Sequence, residues 1–215
     1  MPEMKRTTAT LLGDLVGSRT TADRPALHER LVAVLDEGNE VLGPTVPLRI
    51  TVGDEYQGCF DDVGSALHAA LWLRVALLPA CDQRHGIGWG EVGVLAESPR
   101  VEDGPGWWAA RDAIEAAAEG AARPGLRHLR TAYRRAEGAA GPDPAAVNAA
   151  LVCRDHLLGS LGERSLRLLR GVLAGRSQVE LAREEGVSPS AVSQRVRHDG
   201  LAALLAADDL LRGVR

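Results

Sequence analysis

Two short apolar runs, each ending in Gly-Asp, constrain this chain more than any other feature. The first is Leu11-Leu12-Gly13-Asp14, continued by Leu15-Val16-Gly17-Ser18-Arg19. The second, forty residues on, is Ile50-Thr51-Val52-Gly53-Asp54, continued by Glu55-Tyr56-Gln57. Such runs read as buried strands, and glycine lets the backbone turn where each strand stops. Each run therefore delivers one carboxylate to the rim of a sheet. Two carboxylates side by side repel unless a cation lies between them. The pair predicts that Asp14 and Asp54 share Mg²⁺ (or Mn²⁺) and through it hold the phosphates of a nucleotide or related ligand.

The rest of the N-terminal part supplies the frame. Residues 7–13 form a first strand. Pro25 suits the first turn of a helix that continues through Leu27, Leu31, Val34, Leu35 and Leu42 at helical spacing. Leu48 to Val52 and Tyr56 to Phe60 make a hairpin with Asp54 at its tip. Asp61-Asp62 caps a second helix, which Pro79 ends. Residues 84–95 read as a long strand, Asp103-Gly104-Pro105-Gly106 as a loop, residues 107–122 as a helix and 126–133 as a strand. The order β-α-β-β-α-β-α implies an α+β sandwich with helices on one face. Gly17-Ser18-Arg19, between strand and helix, presents backbone N–H groups as an anion seat. Glu55, adjacent to Asp54 on a strand, is expected to point to the other face.

Charge divides the chain. Residues 1–162 carry 16 basic and 22 acidic side chains, and residues 163–215 carry 9 and 7. A net charge of −4 excludes a generally basic nucleic-acid coat. Residues 136–144, Ala-Glu-Gly-Ala-Ala-Gly-Pro-Asp-Pro, read as a linker between domains at 1–135 and 145–215. Cys59, Cys81 and Cys153 show no paired spacing and read as reduced thiols, and no run reaches transmembrane length. Both point to a cytoplasmic protein with no membrane partner.

The tail is helical from Ala145. Helices are expected at 163–173, 177–185 and from Pro189 to His198, the last capped by Ser188. Ala182 is small where two helices cross, Gly186 sits at the left-handed position of the turn, and Val192 packs back. This is helix-turn-helix spacing. With the third helix in a major groove, Ser190, Ala191, Gln194 and Arg195 face bases, and Arg176, Arg197 and His198 meet phosphates. DNA is thus an expected partner; a helical bundle that only packs or dimerises is the alternative. Glu185 stands where an apolar residue is expected before the turn glycine, which predicts weaker packing there.

These residues carry resemblances. Leu11 to Ser18 resembles the first metal motif of class III nucleotidyl cyclases, Val52 to Phe60 their second, Arg84 to Gly93 their dimer-facing strand, and Ala109-Ala110-Arg111 the end of their Asn-x-Ala-Ala-Arg helix. The wording Gly-Asp-Leu-Val-Gly-Ser-Arg with Gly-Asp-Glu-Tyr-Gln is more similar to the SatD family. The resemblance implies a ferredoxin-like, cyclase-like palm, a homodimer, Asp14 and Asp54 as metal ligands, and Arg111 as the catalytic arginine that stabilises transferring phosphate. It also exposes departures: Trp107 replaces the cyclase asparagine, Ile50 beside Arg49 replaces the purine-selecting lysine, and Asp103 is the nearest counterpart of the base-reading acid. The tail is similar to region 4 of sigma factors. Trp107-Trp108 is expected to be a buried pair, with base stacking as the alternative. His85 is expected to be satisfied by backbone rather than to carry protons. The favoured function is a DNA-binding regulator with a Mg-phosphate ligand. The alternatives are an active nucleotidyl cyclase or transferase and a scaffold with vestigial motifs.

Overall fold

Strand β1 (Arg6–Leu15) lies in the middle of the sheet, buried on both faces from Thr8 to Gly13. The structure is a computed structural model that describes residues 6–18, 21, 23–98 and 100–215. The other strands are β2 (Val46–Val52), β3 (Glu55–Phe60), β4 (Gln83–Glu97), β5 (Arg100–Asp103) and β6 (Thr131–Arg135). The sheet runs β2-β3-β1-β4-β5, with β6 also paired to β4. All pairings are antiparallel except β4 with β6. In this register Gly13 faces Tyr56 and Asp14 faces Arg84.

Helices cover both faces, not one. Helix α1 (Arg24–Val41) and helix α2 (Val63–Leu77) pack on Ala9, Leu11, Leu15 and Ile87. Helix α3 (Pro105–Ala121) packs on Leu12, Cys59 and Val92 through Trp107, Ala110 and Ile114. The cause is a row of glycines on one side of β4. A Cβ at Gly86 would lie 2.2 Å from the Ala110 carbonyl, and one at Gly88 would lie 2.1 Å from that of Gly106. Without side chains there, the α3 backbone rests directly on the strand.

Asp62 caps α2 as the sequence implies, and α1 is capped by Asp23, two residues before Pro25. Helix α3 begins at Pro105 rather than Trp107, since proline suits a first helical position. Residues 124–126 form a 3₁₀ turn, so β6 starts only at Thr131.

Two asparagines close the sheet's edges. On β2, Asn39 of α1 accepts from the Leu48 N–H (2.7 Å) and donates to its carbonyl (3.0 Å). On β6, Asn148 accepts from the Tyr133 N–H (2.9 Å) and donates to its carbonyl (2.8 Å). Each carboxamide imitates a neighbouring strand and blunts an edge.

Asn148 belongs to helix α4 (Pro144–Gly159), whose Val147 and Leu151 enter the same buried cluster as the sheet. Residues 136–144 run against the sheet: Trp89 Nε1 donates to the Ala140 carbonyl (2.8 Å) and Arg135 to that of Gly141 (2.6 Å). Beyond them come α5 (Glu163–Leu173), α6 (Gln178–Glu184), α7 (Pro189–His198) and α8 (Leu201–Arg212). They rest on the back of α2, where Leu71 and Val75 join Leu158, Leu166, Leu169 and Leu204. Eleven of the fifteen α2 residues are buried, a helix apolar nearly all round.

Asn148→Ala removes both edge bonds and leaves a buried N–H and carbonyl unpaired. We expect a loss of about 2 kcal/mol, or about 4–8 °C in Tm, by thermal denaturation. An unchanged melting curve would show that water satisfies the edge instead.

Candidate functional site

Asp14 stands at the rim of β1, and its register partner Arg84 meets it. Arg84 Nη1 donates to Oδ2 at 3.2 Å. Neither residue is fully satisfied: Asp14 Oδ1 and Arg84 Nε are both buried without a hydrogen-bond partner. Burial raises the Asp14 carboxyl above its usual range, Arg84 opposes this, and the charges of Asp54 and then Glu55 add to it. Asp54 therefore lies within the electrostatic reach of Asp14, as the two Gly-Asp runs imply. It sits at the β2–β3 turn, where Gly53 takes a positive φ of 63°. A small cavity of about 50 Å³ separates it from Ser18 and His28. Ser18 is buried and Gly17 has φ 74°, so the strand-to-helix turn is formed as expected. Arg19 lies outside the described residues.

Glycine before Asp14 has a local cause. A Cβ at Gly13 would lie 2.2 Å from the Tyr56 ring. The Tyr56 hydroxyl donates to Gln83 Oε1, and His85 Nε2 lies 2.7 Å from that hydroxyl oxygen. Tyr56 has one proton to give and Gln83 Oε1 can only accept, so His85 carries its proton on Nε2. Burial, with Arg74 and Arg154 nearby, pushes His85 down to about 3. The imidazole is neutral and cannot exchange protons near neutrality, and its partner is tyrosine rather than backbone.

Glu55 alternates away from buried Tyr56 and projects toward α3. There it accepts both terminal nitrogens of Arg111, each at 2.8 Å. This bidentate bond is the largest cause of the raised Arg111 pKa. Arg111 thus lies near Asp14 but is held by a carboxylate. Beside it, Leu12, Gln57, Glu102, Trp107 and Trp108 line a cleft of about 360 Å³. Trp107 is buried, whereas Trp108 is 59% exposed, so the expected buried pair holds for one member only. The Trp108 indole donates to Asp103 (2.8 Å), which occupies that carboxylate.

The donor set suits a hard divalent cation. Asp14 Oδ1 is an unused carboxylate oxygen, and Asp54 is near. Among the described residues no group of three or more His, Cys, Asp or Glu side chains is placed to hold a metal. Two carboxylates leave most positions to water and ligand oxygens, which is how Mg²⁺ is commonly bound.

In the tail, α6 and α7 flank a turn in which Gly186 has φ 65° and the Val187 N–H donates to the Ala182 carbonyl (2.9 Å). Ser188 caps α7. Glu185 is not left unpaired at the turn: its carboxylate accepts from Arg167 at 2.7 and 2.8 Å and pairs with Arg164 at 3.4 Å, joining α6 to α5. Ser190, Gln194, Arg197 and His198 are exposed. Arg176 is paired with Glu184 (2.6 Å) and Arg195 with Asp199 (3.1 Å), so these two begin engaged.

Sequence reasoning missed two partners, Arg84 for Asp14 and Glu55 for Arg111. Both pairings come from strand register and helix placement, which no local pattern encodes.

The SatD family model matches residues 8–127. The chain belongs to the SatD family. The matched segment spans the two Gly-Asp runs and Arg111 and stops before α4. None of the curated proteins matches this SatD-family chain. Among solved structures it is similar to a bacterial light-regulated adenylyl cyclase (14% identity, 55% of this chain and 42% of that one, TM-score 0.46). It is also similar to the guanylyl cyclase domain of the RhoGC fusion protein from the aquatic fungus Blastocladiella emersonii (18%, 54% and 78%, 0.45). A third is an adenylate/guanylate cyclase/hydrolase from Silicibacter pomeroyi (24%, 53% and 70%, 0.42). No described helix of this SatD-family protein is long and apolar enough to cross a membrane.

A raised carboxyl pKa means that the ionised form costs the fold stability above that pKa, and that the cost vanishes on protonation. Asp14→Asn should therefore raise Tm at pH 7 in metal-free buffer, with the difference shrinking as pH falls into the acid range. Calorimetric scans across pH check this; a lower Tm for the variant at pH 7 would show that the Arg84 pair dominates.

Proposed function

We propose that this SatD-family protein is a DNA-binding regulator whose sheet domain binds a Mg²⁺- or Mn²⁺-bound nucleotide or related phosphate ligand. The observation that carries the reading is the unsatisfied Asp14–Arg84 pair. A desolvated carboxylate oxygen lacking a partner, beside a guanidinium with a free N–H, suits a cation and an anion arriving together. Asp54 is the second carboxylate, and Arg84 and Arg111 are the cations within reach of its phosphates. The turn at Gly17 and Ser18 is the anion seat, with Arg19 the next residue in sequence.

In this reading the metal, when bound, neutralises phosphate charge between Asp14 and Asp54. Arg84 leaves Asp14 for a phosphate oxygen, and the bidentate Arg111–Glu55 bond holds Arg111 in place. Trp107 adds bulk where the cyclase-like arrangement has asparagine. These features favour binding over turnover. Nucleotidyl cyclase or transferase activity is the second reading, supported by Arg111 lying on the same side of the sheet as Asp14. The tail acts on DNA through Ser190, Gln194 and Arg195 at the bases, with Arg176, Arg197 and His198 at the phosphates. A homodimer supplies two such faces for two half-sites. Three free cysteines fit a cytoplasmic setting.

A thermal-shift screen with Mn²⁺, pyrophosphate and nucleoside triphosphates tests the ligand half. Wild type should gain about 2.7 kcal/mol at a hundredfold excess over Kd, and Asp14→Ala should gain nothing. No shift with any combination rejects the ligand, and conversion of ATP or GTP to product establishes the second reading. For the tail, Arg197→Ala should weaken duplex DNA binding and lower the salt slope by about one unit. An unaltered slope would remove Arg197 from the phosphate contacts.

A further inference from the structure

Residues 74–84 touch both halves of the molecule. Toward the phosphate site, the Asp82 carbonyl accepts from the Val16 N–H (2.8 Å) and so fixes the loop leaving β1. Two residues later, Arg84 holds Asp14. Toward the tail, Arg170 of α5 donates to the carbonyls of Val75 (2.9 Å) and Leu78. These lie in the last turn of α2, where carbonyls lack helical partners and a cation is favoured. Between the two ends, Arg74 Nε donates to Asp82 (2.6 Å), and Arg74 Nη1 lies 3.3 Å from Asp155 of α4. The side chains of Arg74 and Asp155 are 1% and 0% exposed. Arg130 also donates to Asp82 (2.8 Å).

A charged network buried this deeply has few arrangements, because each lost partner leaves an uncompensated charge. Such a segment shifts as a body rather than by local fraying. Its loose joint is Arg84, held by one contact of 3.2 Å to Asp14, whereas Arg74, although its Nη1 also lacks a hydrogen bond, is anchored to Asp82 by two. A cation at Asp14 competes for that contact, and an anion offers Arg84 a better one.

We propose that residues 74–84 are a coupling arm that turns occupation of Asp14 by a cation-bound anion into a displacement of α5 and the helix-turn-helix it carries. The proposal rests on the phosphate-site reading above and adds the route by which that site governs the tail. Arg170 is the residue at which the route can be cut, since it touches α2 but neither Asp14 nor the 16–18 loop.

The test is hydrogen exchange on the full chain, with and without Mn²⁺ plus pyrophosphate, alongside calorimetric titration of the same ligands. In wild type, amides of α5–α7 should change exchange rate by about fivefold or more on ligand addition, the scale of ordinary site-to-site coupling. Arg170→Met should bind Mn²⁺ and pyrophosphate as wild type does, while the response in α6 and α7 falls by more than half. Arg170→Lys keeps the charge but cannot fork to two carbonyls. It should give an intermediate response and serves in place of the methionine variant if that fails to fold. Ligand binding in wild type without any change in α5–α7 overturns the coupling, as does a full response in both variants. If calorimetry detects no binding in wild type, the phosphate-site reading itself fails and the coupling falls with it.

Discussion

Helix α2 cannot be left with a wet side, and much of the architecture follows from that constraint. Leu67, Leu73 and Leu77 face the sheet, while Leu71 and Val75 point the other way and are equally buried. A helix apolar all round needs cover on all sides. Helices α4, α5 and α8 provide it, and polar contacts then fix their positions. Arg170 caps the end of α2, and His68 meets Asp208 of α8 at 2.7 Å. Gly64 has no Cβ because one would lie 2.4 Å from the Arg212 carbonyl. The tail is thus packed onto the sheet domain rather than suspended from it.

At the rim of the sheet the governing effect is electrostatic. Burial, and then the charges of Asp54 and Glu55, make the Asp14 carboxylate costly to ionise, and Arg84 and Arg111 oppose this. Arg111 meets Glu55 with ideal bidentate geometry, while Arg84 meets Asp14 through one longer contact. That asymmetry matters. The well-made pair is expensive to break and reads as a fixed wall of the cleft. The poorly made pair keeps a carboxylate oxygen and a guanidinium nitrogen in reserve, and these are the groups an incoming ion pair can use.

What was legible in the sequence was local. Gly53 before Asp54, the hairpin, the Asp62 and Ser188 caps and the turn at Gly186 each follow from nearest-neighbour stereochemistry, and each lies where expected; Gly13 does not, since β1 runs on to Leu15 and the Tyr56 ring of the neighbouring strand is what excludes a side chain there. What was not legible depends on separate segments meeting. The placement of α3 on the second face had a signal in Gly86, Gly88 and Gly90, spaced by two and hence all on one side of β4. The spacing by itself does not say which element approaches. The tail's docking had a signal too, in the absence of a polar stripe on α2. Arg84 opposite Asp14 had none, because register is set by the whole sheet. Glu185 shows the limit of comparing patterns. A charged residue at an apolar position predicts a weak joint, yet Arg164 and Arg167 of α5 both pair with it and join the two helices.

The docking also bears on how the proposed regulator would work. A helix-turn-helix on a flexible linker senses a distant ligand only through proximity, since the linker passes no orientation. Here α5 is attached to α2, whose end leads within seven residues to Arg84. Orientation can then be transmitted, because close-packed helices have discrete arrangements rather than a continuum. The same packing sets the cost. Any shift of α5 must keep Arg170 near the α2 carbonyls and Leu169 against Val75, so the permitted motions are small slides and rotations. Small motions suffice for DNA, where a displacement of an ångström or two separates a bidentate contact with a base edge from none.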